Sequence, residues 1–195
     1  MKALVLNYGV GNLFSISSAL KRNGFEVKIG DLERGYDLIV MPGVGSFSAV
    51  SSFLSSRLDV LRDLKGSNAF LGVCLGFQVL FDYGTEGGQS KGIGWFKGKV
   101  DLLHVNEKLP HVGWERLHVK GCNDLLQEMD QGYVYYVHSY VAYPERDPDA
   151  FSNYGGTSFP AVMCEGNVVG TQFHPEKSDK TGRIFFDNLS RWLKR

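Results

Sequence analysis

A chain of 195 residues is long enough for one well-buried core, or one core with a small appendage. It is 43% hydrophobic and 22% charged, the composition of a soluble globular protein, and its 21 basic residues balance 21 acidic ones, which argues against a general nucleic-acid surface. Cys74, Cys122 and Cys164 are an odd number without short spacing, so neither a disulfide framework nor a Cys-rich zinc site is expected, and a reducing, cytoplasmic setting is the plain expectation. The first apolar run, Ala3-Leu4-Val5-Leu6, is too short for a signal peptide or a membrane span.

Lys2 to Leu6 predicts a parallel strand buried on both faces. A glycine-containing loop, Asn7 to Asn12, follows it. Leu13, Ile16, Ser17 and Leu20 recur at helical spacing, and Gly24 stops the helix. Phe25 to Ile29 and Tyr36 to Met41 predict two further strands, so the chain opens as a right-handed βαβ unit. Pro42-Gly43-Val44-Gly45-Ser46-Phe47 is the next loop, and apolar positions from Phe47 to Leu64 mark one or two helices crossing back. Ala69 to Val73 predicts a buried strand, Cys74 a tight turn, and Leu75 to Phe81 a helix.

After Phe81 the texture changes. Residues 82–94 hold five glycines and read as loop. Trp95 to Leu103, Val112 to Val119, Tyr133 to Val137 and Phe151 to Phe159 are strand-like, with connections too short for helical crossovers. Ala161 to Glu165, Gly166-Asn167 and Val168 to Phe173 form a hairpin pattern, and Ile184, Phe185, Leu189, Trp192 and Leu193 line a final helix. The expected architecture is one α/β domain over 1–195. Its mostly parallel central sheet lies between helices as a three-layer, flavodoxin-like fold, with antiparallel or mixed sheet added in the second half.

Three stretches carry chemistry. Gly72 and Gly76 flank Cys74 at two residues on either side, the Gly-x-Cys-x-Gly form of a nucleophile elbow. His174-Pro175-Glu176 ends a predicted strand 100 residues later. A cysteine nucleophile needs a base, and the base needs a carboxylate to fix its tautomer; His174 and Glu176 supply both, from a strand end where α/β folds build sites. An oxyanion formed by thiol attack needs backbone N–H donors, expected from Leu75 and from Gly43, Val44 and Gly45. The plainer readings are a core cysteine, a polar loop and a βα turn. No Gly-Lys-Ser/Thr pattern follows the glycine loop, so a phosphate cradle is the weaker reading. His104, His111 and His118 lack acidic or cysteine companions at ligand spacing, so no metal is assigned.

Together these stretches resemble the class I (triad) glutamine amidotransferases, and within that family the glutaminase subunits of imidazole glycerol phosphate synthase. The resemblance spans Asn7-Tyr8-Gly9 to Arg183. Gly72-Val73-Cys74-Leu75-Gly76-Phe77-Gln78 and His174-Pro175-Glu176 carry the family. The subfamily rests on Pro42 to Phe47, Pro110-His111-Val112-Gly113-Trp114, Tyr136-Val137-His138-Ser139-Tyr140 and Glu176-Lys177-Ser178.

The resemblance implies hydrolysis of L-glutamine to glutamate and ammonia through a thioester on Cys74. His174 would serve as base and acid, with Glu176 orienting it. It implies a glutamine pocket from Gly76, Gln78, His138, Ser139 and Tyr140, and no cofactor. It also implies a heterodimer with a (βα)8-barrel cyclase that receives the ammonia in histidine biosynthesis, across an interface holding Tyr8, Asn12, Trp114, Tyr136 and Lys177. Alternatives left open at this level are an amidotransferase serving guanylate, anthranilate or pyridoxal phosphate synthesis, a cysteine hydrolase or peptidase on a related fold, and a non-catalytic regulatory subunit.

Overall fold

The computed structural model describes residues 1–9, 13–43, 45–122 and 124–195. In the first half, β1 (Lys2–Leu6), α1 (Leu13–Arg22), β2 (Glu26–Gly30), β3 (Leu38–Met41), α2 (Phe47–Ser55), α3 (Leu58–Lys65) and β4 (Ala69–Val73) follow in turn. After α4 (Leu75–Gln78) come β5 (Tyr83–Gly84), β6 (Ser90–Lys91), β7 (Gly98–Leu102), β8 (His111–Arg116), β9 (His118–Val119), β10 (Tyr133–His138), β11 (Tyr140–Pro144), β12 (Ala150–Tyr154), β13 (Thr157–Glu165) and β14 (Val168–Thr171). A 3-10 turn (Pro175–Lys177) and α5 (Asp179–Trp192) close the chain.

The main sheet runs β2-β1-β3-β4-β14-β13-β12-β9. It is parallel from β2 through β14 and antiparallel beyond. The period-2 alternation of side chains divides its core in two. Ala3, Val5, Leu38, Val40 and Leu71 face α1 and α5, which contribute Ile16, Leu20, Phe185 and Leu189. Leu4, Leu6, Ile39, Met41 and Phe70 face α2 and α3, which contribute Phe47, Leu54, Leu61 and Leu64. The result is the expected three-layer α/β arrangement. All five residues of β4 are buried. Each large apolar side chain so buried contributes ~1.5–3 kcal/mol, which anchors the strand that ends at Cys74.

The second half departs from expectation in several places. The predicted loop 82–94 contains β5 and β6, which join β7 and β11 in a four-stranded sheet. The single strand expected over 151–159 is the tip of the β12–β13 hairpin, because Gly155 and Gly156 both take positive φ and turn the chain. The helix after Cys74 has four residues instead of continuing to Phe81. The backbone then turns so that Ile93, Trp95 and Phe96 donate to Val79 and Leu80 carbonyls. Strand β11 was not anticipated. β8 and β10 form a separate antiparallel ribbon, with Tyr135 opposite Trp114 and His138 opposite His111.

Cys122 and Cys164 are joined by a disulfide, contrary to the expectation from cysteine spacing. Their Cα atoms stand 6.3 Å apart, a proximity created by the fold across 42 residues of chain. No helix of the described residues is long and apolar enough to cross a membrane.

Candidate active site

Neighbouring parallel strands β3, β4 and β14 deliver Gly43, Cys74 and His174 to one end of the sheet. Carboxyl ends of such strands are where open α/β sheets place their sites. Cys74 follows β4 directly and adopts φ 50°, ψ −105°, a strained conformation for a residue with a Cβ. Its N–H donates to the Thr171 carbonyl at 2.7 Å, locking the turn to β14.

The two glycines of the elbow are steric requirements. A Cβ on Gly72 would stand 2.7 Å from the Gly76 carbonyl carbon. One on Gly76 would stand 2.6 Å from the Met41 carbonyl carbon and closer still to its oxygen. The strand and helix on either side of Cys74 therefore meet backbone to backbone, and the elbow sits on the end of β3. Gly43 lies as close on the other side, since its Cβ would be 2.6 Å from that of Cys74. Gly45 takes φ +111°. The loop then enters α2 at Ser46, whose side chain accepts from Ala49 N–H, while Phe47 N–H donates to Glu86 at 2.7 Å. Val44 lies outside the described residues. Leu75 opens α4, so its N–H has no acceptor within that helix.

His174 leaves β14 with its N–H donating to the Tyr135 carbonyl at 2.9 Å. Its Nδ1 stands 2.9 Å from Glu176 Oε1, and because a carboxylate accepts, Nδ1 carries the proton. Ser178 fixes the turn, donating to the His174 carbonyl at 2.7 Å and accepting from Tyr135 N–H. The remaining ring nitrogen, Nε2, is buried and makes no hydrogen bond. Burial opposes charge on the ring, but Cys74 and then Glu176 outweigh it and push the His174 pKa up to about 10. Cys74 raises it by charge and as a hydrogen-bond partner, although its contact with Nε2 is looser than a closed hydrogen bond, as is common in unliganded sites.

The sulfur has two other neighbours. The Val137 carbonyl accepts from the thiol at 3.8 Å, and Gln172 Nε2 donates to Sγ at 3.5 Å. Gln172 was not singled out from sequence; it lies in the bend between the end of β14 and His174. Gln78 is buried, and its Nε2 donates to Tyr140 O at 2.7 Å and to Gln172 Oε1 at 3.1 Å. His138 is buried on the same wall, and Ser139 and Tyr140 are half-buried. Gln78 thereby reaches Cys74 through Gln172, and His138 Nδ1 meets Gln78 at the same Tyr140 carbonyl.

The residues expected at an interface separate. Trp114 is 46% exposed and Lys177 is exposed. Tyr8 is half-buried, its ring edge-on to Phe53 and its hydroxyl buried without a partner among the described residues. Asn12, like Val10, falls outside the described residues. Tyr136 is a correction: it is wholly buried, and its hydroxyl donates to Ser152 Oγ. Strand alternation puts Tyr135 outward in its place, edge-on to Trp114 at 5.7 Å and beneath Lys177 Nζ at 5.7 Å. A one-residue change of phase exchanges the faces of a strand. A cavity of about 390 Å³ opens beside Trp114, Glu176 and Lys177. No group of residues able to hold a metal ion occurs among the described residues.

A strained cysteine, a carboxylate-paired histidine and a glycine-rich loop at adjoining strand ends define the class. The chain belongs to the class-I glutamine amidotransferase family, whose profile matches residues 4–192. Among its relatives, the imidazole glycerol phosphate synthase subunit HisH of Saccharolobus solfataricus is 58% identical over 200 residues, covering all of both chains. The subunit of the same name from Sulfurisphaera tokodaii is 59% identical over 199 residues, again covering all of both. The solved structure of PurLQS from Thermotoga maritima covers 98% of each chain with a TM-score of 0.75 at 21% identity, a likeness of fold.

Proposed function

We propose that this chain is the glutaminase subunit of an imidazole glycerol phosphate synthase, hydrolysing L-glutamine and passing the ammonia to a (βα)8-barrel cyclase in histidine biosynthesis. The observation that carries the reading is 58–59% identity over the whole length of the HisH subunits, combined with Cys74 and the His174–Glu176 pair at the ends of adjacent strands.

In this mechanism Cys74 Sγ, its proton transferred to His174 Nε2, attacks the side-chain amide carbon of glutamine. The C–O π electrons move to oxygen, and the oxyanion is met by N–H donors of Leu75 and the Gly43–Gly45 loop. Each such donor is worth roughly 10²–10³ in rate. Collapse breaks the C–N bond, and the amine takes the proton from His174 and leaves as ammonia. Water, deprotonated by His174, then hydrolyses the thioester, releasing glutamate and restoring the thiol. Glu176, bound to Nδ1, keeps the tautomer that leaves Nε2 for the sulfur.

Neutral ammonia is a nucleophile and ammonium is not, so the product must leave through a contact sealed from water. The face around Trp114, Tyr135 and Lys177, with Tyr8, is the surface assigned to the cyclase. The test is glutamate release by the purified chain with its cyclase. Cys74→Ala is expected to abolish release while leaving the fold and the partner contact intact. Unchanged release by that variant overturns the assignment.

A further inference from the structure

Beside Cys74 runs a second line of polar groups, whose far members, His111 and Glu115, have no part in the hydrolysis described above. His138 Nδ1 is 3.2 Å from the Tyr140 carbonyl oxygen, and its Nε2 is 3.3 Å from His111 Nδ1. His111 Nε2 is in turn 3.3 Å from Glu115 Oε1. His111 lies between two tyrosines, its ring stacked on Tyr154 at 3.9 Å and on Tyr136 at 5.4 Å, so its plane is held. His111 and His138 are 1% and 6% exposed, while the Glu115 side chain is 31% exposed at the ribbon that carries Trp114.

Elementary donor counting gives this line a direction. A carbonyl only accepts, so His138 Nδ1 carries a proton. Burial pushes the His138 pKa down to about 3 and that of His111 to about 4, so both rings are neutral and each carries one proton. His138 Nε2 is then an acceptor, and the His111 proton must sit on Nδ1. That leaves His111 Nε2 as a bare lone pair, 3.3 Å from Glu115 Oε1 and without a hydrogen bond among the described residues. Three links need three protons and two rings supply two. The Glu115 carboxyl, which burial makes harder to ionise, is the group placed to supply the third.

The line does not stop at Tyr140. Its carbonyl also accepts from Gln78, which donates to Gln172, which donates to Cys74 Sγ. Every amide orientation in that arm is set by the same carbonyl. We propose that Glu115 is a positioning residue for Cys74, holding the thiol in place through His111, His138, the Tyr140 carbonyl, Gln78 and Gln172. The exposed ribbon and the sulfur are thereby joined by a line of polar contacts in which the 3.3 Å approach of Glu115 to His111 is the one not closed as a hydrogen bond. This rests on the reading of Cys74 as the nucleophile.

The test uses the full chain. Cys74 is its free cysteine, so alkylation by iodoacetamide, followed by intact mass, reports on this thiol alone. Glu115→Ala removes the group placed to donate to His111 Nε2 and is expected to slow alkylation about tenfold, the size of one net hydrogen bond. Glu115→Gln supplies an N–H to His111 Nε2 and is expected to restore the native rate. Nitrogen-15 NMR of the imidazoles is expected to show the proton on Nδ1 at both His111 and His138. An Nε2-protonated ring at either position overturns the proposal. So does an unchanged rate in Glu115→Ala, or a Glu115→Gln variant as slow as the alanine one. Failure of the functional reading looks different, because glutamine hydrolysis persisting in Cys74→Ala would leave these thiol and imidazole measurements unaffected.

Discussion

Gly76→Ala tests whether the elbow is held by backbone contact. The added methyl would stand 2.6 Å from the Met41 carbonyl carbon, where ordinary contact begins at 3.4 Å. Both partners are main chain, one at the end of β3 and one in α4, so no side chain can swing away. Relief requires the elbow to lift from β3 by about 1 Å. Overpacking of this kind costs about 1–3 kcal/mol in stability. Its effect on turnover is larger, because the same lift separates Cys74 from Gly43 and from His174 on β14. A misplacement of about 1 Å in a reacting group lowers the rate roughly 100-fold. The matched control is Gly113→Ala, since a Cβ there meets nothing within 4 Å. Glutamate release and urea denaturation of both variants are the assays. Native activity and stability in Gly76→Ala would refute the steric account of the Gly-x-Cys-x-Gly spacing.

Two further outcomes follow from the same geometry. Replacing Cys122 and Cys164 by serine frees a loop spanning 42 residues. Chain entropy puts the loss at about 4 kcal/mol, read as a fall in melting temperature of roughly 8–16 °C by calorimetry; a fall under about 2 °C counts against the cross-link. His174 is expected to titrate well above 6.5, and in Glu176→Gln to titrate lower, by proton NMR of the ring. Because its folded pKa is raised, the stabilisation it contributes is complete below 6.5 and lost as pH rises toward about 10. The alkaline limb of the stability curve should therefore flatten in Glu176→Gln, and a wild-type His174 titrating at or below 6.5 would contradict the pairing with Cys74.

The parts of this site legible in the sequence are those made by neighbours along the chain. Gly72, Cys74 and Gly76 announce a turn because only glycine allows strand and helix to touch. His174 and Glu176, two residues apart, announce their own hydrogen bond. Apolar runs at β1, β3, β4 and β14 announce strands buried on two faces. Tyr133 to His138 illustrates the limit. Tyr-Val-Tyr-Tyr-Val is apolar at every position, so alternation cannot reveal which tyrosine points inward, and the inward one proved to be Tyr136, with Tyr133 and Tyr135 on the other face. Gln172 was hidden for a related reason, its amide meaning nothing until Cys74 and Gln78 lie across from it.

Sequence by itself therefore determined three local features and their order: a cysteine at an elbow, a carboxylate-bound histidine at a strand end, and a glycine loop between strand and helix. These depend on backbone sterics and on contacts within a few residues, which local sequence encodes. Only tertiary structure decided the phase of the β8–β10 ribbon, the Cys122–Cys164 link, and the line from Glu115 through His111 and His138 to the wall of the site. Each of those joins residues distant along the chain. Their meeting is set by how separate strands pair and stack, and no single stretch contains that information.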